Sequence, residues 1–158
     1  MGAINQAFNQ AAGALAGAGI AIKHAKETEE SKMNTADNTA LIARNQSRAA
    51  QAEANAANDE ALKKGGLTEQ MAAAEINREK AEKAYNKAVN RKNGSPITRY
   101  KKFTDLDAAR EAERELKNKY KALVDINNRA TEQRIYASKA TTMALKAKEK
   151  FEKHWGGK

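Results

Sequence analysis

A chain of 158 residues is long enough for one ordinary domain, but 5% aromatic and 31% charged side chains leave too little bulky apolar surface for a thick single-chain core. Alanine fills about a fifth of the positions, there is one proline, and the absence of cysteine excludes disulfides and thiolate chemistry. The net charge of +9 is unevenly placed: residues 1–62 hold 5 basic and 7 acidic side chains and residues 63–158 hold 24 and 13, so the surplus that suits an anionic partner lies in the second part.

Residues 1–22 carry no charged side chain and include AAGALAGAGIAI at 11–22. Gly13 and Gly17 form a small-xxx-small pair with Gly19 beside them, and Leu15 and Ile20 are among the few large apolar residues. A helix of ~20 residues reaches across a hydrocarbon core of ~30 Å at ~1.5 Å per residue. Asn5, Gln6, Asn9 and Gln10 are costly in lipid unless paired across helices, so the expectation is an oligomeric membrane-active or assembly segment over 1–22. A Gly/Ala-rich helix buried in a protein assembly, or a flexible terminus, is the alternative. No basic residue precedes the apolar run, as a secretory signal would require.

Residues 23–92 read as Ala-seamed helices broken at 65–66. A 3-4 alternation runs through Met33, Ala36, Ala40, Ala43, Ser47, Ala50, Ala54, Ala57 and Ala61, and such small side chains let a second backbone approach closely. Leu41 and Ile42, the only bulky apolar residues mid-segment, are expected to fix its register. Gly65 and Gly66 end this helix and Thr68 is placed to start the next, whose seam is Leu67, Met71, Ala74, Arg78, Ala81, Tyr85 and Ala88.

Asn93-Gly94-Ser95-Pro96 predicts a basic turn over 93–103, followed by a long basic helix over 104–155 capped by Thr104, and a tail at 156–158. The seam of the long helix starts as Leu116, Tyr120 and Leu123. A three-residue step near Val124 to Asn128 then shifts it to Ile126, Ala130, Gln133, Ala137, Ala140, Ala144, Ala147 and Phe151. The expected fold is all-α, with long Ala-rich helices in an extended coiled-coil or helical-hairpin assembly and no compact globular core.

No catalytic, cofactor or metal constellation is recognisable; His24 and His154 lie at opposite ends of the chain. The group with binding chemistry is Arg91, Lys92, Arg99, Tyr100, Lys101 and Lys102, with Phe103 beside it. Cations neutralise phosphates and a ring stacks on an unpaired base, and the same group suits an anionic membrane surface. The plainer reading is a solvated loop with Tyr100 and Phe103 turned inward to cap a helical hairpin. His154 and Trp155 form a second, weaker candidate anchor at a membrane interface.

Taken together, residues 11–22, 33–61 and 105–154 make the chain resemble the DNA pilot or ejection proteins of bacteriophages, in architecture and composition. The resemblance implies a non-enzymatic minor virion protein, located in the virion and then in the host cell envelope. Such a protein forms a homo-oligomeric helical conduit and meets other virion proteins, phage DNA and the host membrane, without a cofactor or a small-molecule substrate. The other two readings are a structural, scaffold or head-completion component that crosses no membrane, and a nucleic-acid-binding helical protein acting outside any assembly.

Overall fold

The structure, a computed structural model, describes the backbone of residues 2–156 and the side chains of residues 17–156. Gly13 and Leu15 therefore lie outside the residues whose side chains are described. Three helices follow in order, α1 (Gly2–Leu62), α2 (Leu67–Asn90) and α3 (Pro96–Trp155), and there is no strand among the described residues. The chain is all-α, and it divides into two compact units. One is built from α1 up to Ser47 and α3 from Gln133; the other takes Arg48 to Glu132.

The alternation in α1 is the buried face. All nine seam positions from Met33 to Ala61 are buried or half-buried, with Ala43 1% and Ala54 0% exposed. In the first unit Ala40 and Ala43 form one apolar cluster with Ala137, Ala140 and Ala144, and Ala36 packs against it. Alanine gives each residue little area to bury, but it brings many backbone atoms into contact at short range. This corrects the expectation of no compact core: each unit has a core, and it is thin. Leu41 and Ile42 stand 51% and 58% exposed, so they do not lock the register.

A pair of amides does so instead in the second unit. Asn58 Nδ2 donates to Asn127 Oδ1 at 3.0 Å and Asn127 Nδ2 donates back to Asn58 Oδ1 at 2.9 Å, so both half-buried side chains satisfy each other. A one-residue slip would leave both amides unpaired. Further along, Arg78 on α2 pairs with Glu113 on α3, Glu82 with Arg110, and Tyr85 with Phe103. As the chain advances through the end of α1 and then α2, it meets progressively earlier residues of α3. Both segments therefore run antiparallel to α3 in this unit.

In α3, Leu116, Leu123, Ala130, Ala137, Ala144 and Phe151 recur every seven residues and all face inward. The companion column changes: Leu106 and Glu113 follow by four the half-buried Lys102 and Ala109, which continue the same seven-residue column toward the start of α3, whereas Ala140 and Ala147 follow Ala137 and Ala144 by three. Ile126 and Asn127 are both half-buried where the change occurs, while Tyr120, expected on the seam, is 49% exposed. Leu106 is the one large side chain that is fully buried among the described residues.

The break between α1 and α2 is where the glycines were expected to place it. Gly65 adopts φ +75°, a left-handed conformation that costs glycine little. A Cβ on Gly66 would fall 2.6 to 2.8 Å from the carbonyl oxygens of Glu60, Ala61 and Lys63. Thr68 does not cap α2, because Gly66 holds that position and no side chain bonds there. Glu69 instead accepts from the Gly65 amide at 2.8 Å.

Two outcomes follow from this packing. Leu106→Ala should cost ~2–5 kcal/mol in urea unfolding and Ala43→Leu ~1–3 kcal/mol through overpacking, while Leu41→Ala stays within ~0.5 kcal/mol. A Leu41→Ala loss as large as that of Leu106→Ala would mean the buried face is wrongly placed. The second outcome concerns acid. Glu113, with a side chain 12% exposed, is held below the ordinary carboxylate range by the hydrogen bond from Lys117 and then by Arg78. Glu29 is held low by the indole N–H of Trp155. A lowered carboxylate stabilises the fold above its unfolded value, near 4.5, and that contribution is lost as pH falls through the lower folded value. The melting temperature should fall on acidification below about pH 4.5, and Glu113→Gln should flatten that limb.

Candidate functional site

The basic group at the α2–α3 connection is more ordered than a loop. Helix α2 ends at Asn90, and Arg91 turns the chain with φ −73° and ψ 123°. The Gly94 amide donates to the Arg91 carbonyl at 3.4 Å, and the Arg99 amide closes the first turn of α3 on Ser95 O at 3.1 Å. A Cβ on Gly94 would lie 3.2 Å from Ala88 O and 3.3 Å from Arg99 Nε, so the bare glycine lets the arginine side chain fold against the turn.

The expected turn over 93–103 is corrected by this geometry. Helix α3 starts at Pro96, two turns before Thr104, and residues 97–103 are helical. Proline lacks the amide hydrogen that the first helical turn leaves unpaired, and its fixed φ suits that position, so Pro96 opens the helix where it was read as part of a loop. Thr104 is consequently inside α3, its hydroxyl donating to Tyr100 O at 2.9 Å.

Becoming helical divides the predicted cluster. Arg91, Arg99 and Lys102 line a groove of about 430 Å³ together with Lys87, which the sequence reading missed. Lys102 lies three residues after Arg99 on one face of α3, and Lys87 sits in the last turn of α2, four residues before Arg91; the i,i+3 spacing of Arg99 and Lys102 was the available signal. Ser95 and Thr98 add hydroxyls to the wall, and no carboxylate lines it. Arg99 Nη2 donates to Arg91 O at 2.9 Å, which fixes its guanidinium across the turn. Lys92 and Lys101 are exposed and line no part of the groove, and Tyr100 is 72% exposed. Phe103 turns toward Tyr85, with ring centroids 6.0 Å apart and planes at 57°, so of the two aromatics only Phe103 caps the hairpin.

The other predicted residues fall as follows. Gly17 and Gly19 have open space where a Cβ would stand, and Ile20 is 70% exposed. Among the described residues no helix is long and apolar enough to cross a membrane. From Gly17 onward α1 carries small residues and soon Lys23 and His24, so apolarity runs out. His154 and Trp155 are engaged within their unit: Trp155 Nε1 donates to Glu29 at 2.7 Å, and His154 Nδ1 lies 3.3 Å from the same carboxylate. No group of three or more metal-ligating side chains is assembled among the described residues. A second groove of about 540 Å³ lies in the first unit, with Tyr136, Met143, Ala36 and Ala140 on its walls and Lys32 and Lys139 among its cations. Compared with protein-family models, curated proteins and solved structures, the chain matches none.

Proposed function

We propose that the chain is a minor phage virion protein whose helices assemble with further copies into a conduit or internal assembly that aids genome delivery across the host envelope. The observation that carries the reading is the state of α1 before Glu29. Every residue from Gly17 to Thr28 is exposed, while the helix continues without a break into the packed seam. An exposed helix that is uncharged up to Lys23 and bears Ile20 and Ile22, 70% and 57% exposed, gains stability only by being covered. The thin cores add to the same argument, because Ile135, Tyr136, Met143 and Leu145 remain exposed beside them. Virion proteins, phage DNA and the host membrane are the partners under this reading, and the virion and host envelope the location.

A structural or head-completion component that crosses no membrane is the second reading. It is favoured by the lack, among the described residues, of a helix apolar enough to span a bilayer. Sedimentation velocity and dye release from phosphatidylglycerol/phosphatidylethanolamine vesicles separate the readings, using the full chain and a chain that starts at Lys23. Assembly and leakage by the full chain, both lost on truncation, are expected for a conduit. Assembly without leakage supports the structural component. A full chain that stays monomeric at tens of micromolar would overturn both.

A further inference from the structure

The geometry points to the α2–α3 groove as a binding site for the phosphate backbone of a single-stranded nucleic acid. The choice of ligand rests on the genome-delivery reading, whereas the affinity of the groove for phosphate rests on its own chemistry. Charge is the first part of that chemistry. Lys87, Arg91, Arg99 and Lys102 surround about 430 Å³ of concave space with no carboxylate in the wall. Five other cations of this unit have acidic partners: Arg78 with Glu82 and Glu113, Arg110 with Glu82, Arg114 with Glu111, Lys117 with Glu113 and Lys63 with Glu60. Others such as Lys80 and Lys119 stand without one among the described ion pairs, so it is concentration in one concave space that sets the groove apart. None of the four groove cations has an acidic partner among the described ion pairs. Four like charges held together without acids repel one another, and an anion relieves that repulsion.

Pre-organisation is the second part. The bond from Arg99 Nη2 to the backbone carbonyl of Arg91 holds the Arg99 guanidinium across the turn, so less of its side-chain freedom is lost when a phosphate arrives. Ser95 and Thr98 supply hydroxyl donors to the same space. The groove also sits at the positive end of the 60-residue α3, where the amides of Ile97 and Thr98 have no partner inside the helix. The third part distinguishes a nucleic acid from an isolated anion. Tyr100, next to Arg99 on α3 and 72% exposed, offers a ring on which an unpaired base can stack. Ile97, 80% exposed beside it, would suit a lipid headgroup region equally, so a vesicle arm belongs in the test.

The test uses the full chain, a fluorescein-labelled 20-nucleotide oligothymidylate and a salt series, with vesicles of phosphatidylglycerol and phosphatidylcholine in parallel. The groove variant is Lys87→Gln/Arg91→Gln/Lys102→Gln. The control, Lys146→Gln/Lys148→Gln/Lys153→Gln, removes the same charge from exposed positions near the end of α3. Both variants are checked for helicity by circular dichroism. The groove variant should lose roughly tenfold or more in affinity and about 2 units of the log–log salt slope, and the control should stay within about threefold. Equal losses in both variants, or no binding of the oligonucleotide by the parent chain, would overturn the site. A groove variant that loses vesicle binding but keeps the oligonucleotide would reassign it to a lipid headgroup. The chain starting at Lys23 separates this proposal from the assembly reading: it should retain groove binding even where assembly is lost.

Discussion

Backbone-to-backbone closeness is the constraint from which the rest of this molecule follows. With alanine at nearly every inward position of α1 from Ala36 to Ala61 and at Ala130, Ala137, Ala140 and Ala144 of α3, two helices can approach further than leucine would allow. Each contact buries little area, so stability comes from many dispersion contacts spread along a seam rather than from a hydrophobic cluster. The consequence is visible in the exposed Leu41, Ile42, Tyr136, Met143 and Leu145, for which the thin cores have no room.

A seam of near-identical small side chains specifies register weakly, and the polar contacts supply what it lacks. The reciprocal Asn58–Asn127 pair occupies the stretch where the companion column of α3 changes from a four-residue to a three-residue offset. Arg78 and Glu113 meet from seam positions on α2 and α3, with Glu82, Arg110 and Lys117 around them. Paired polar groups at inward positions of coiled coils fix alignment at some cost in stability. In the first unit Trp155 and His154 on Glu29 fix the end of the seam.

Much of this was legible in the sequence, because periodicity is a property of spacing and the seams of α1 and α2 needed nothing else. The Gly65-Gly66 break was equally plain from backbone chemistry. What escaped was decided by tertiary context. Leu41 and Ile42 look like core residues by type, yet they lie off the Ala seam and therefore face solvent. Thr104 looked like a helix cap, which put Leu106 in a fraying first turn, because Pro96 was read as part of a turn rather than as the start of a helix. The same misreading hid the groove: with residues 97–103 in a loop, nothing aligned Arg99 with Lys102, and Lys87 belonged to a different element. The sequence also gave no means of pairing Glu29 with Trp155, whose contact depends on how α1 and α3 align within their unit.

Function enters through what the packing leaves uncovered: the exposed stretch of α1 from Gly17 to Thr28, and a cationic groove without acids. The first depends on the Ala seam being the antiparallel contact that holds α1 to α3 in the first unit. Because the chain has no native cysteine, that contact is directly measurable. In Ala40→Cys/Ala144→Cys, oxidised at low micromolar concentration, an intrachain disulfide should form and migrate as a compact monomer on a non-reducing gel. Leu41→Cys/Leu145→Cys, from the exposed faces, should form none. An Ala40/Ala144 variant that gives no disulfide, or links only between chains, would contradict the seam and with it the account of the α1 stretch it leaves exposed.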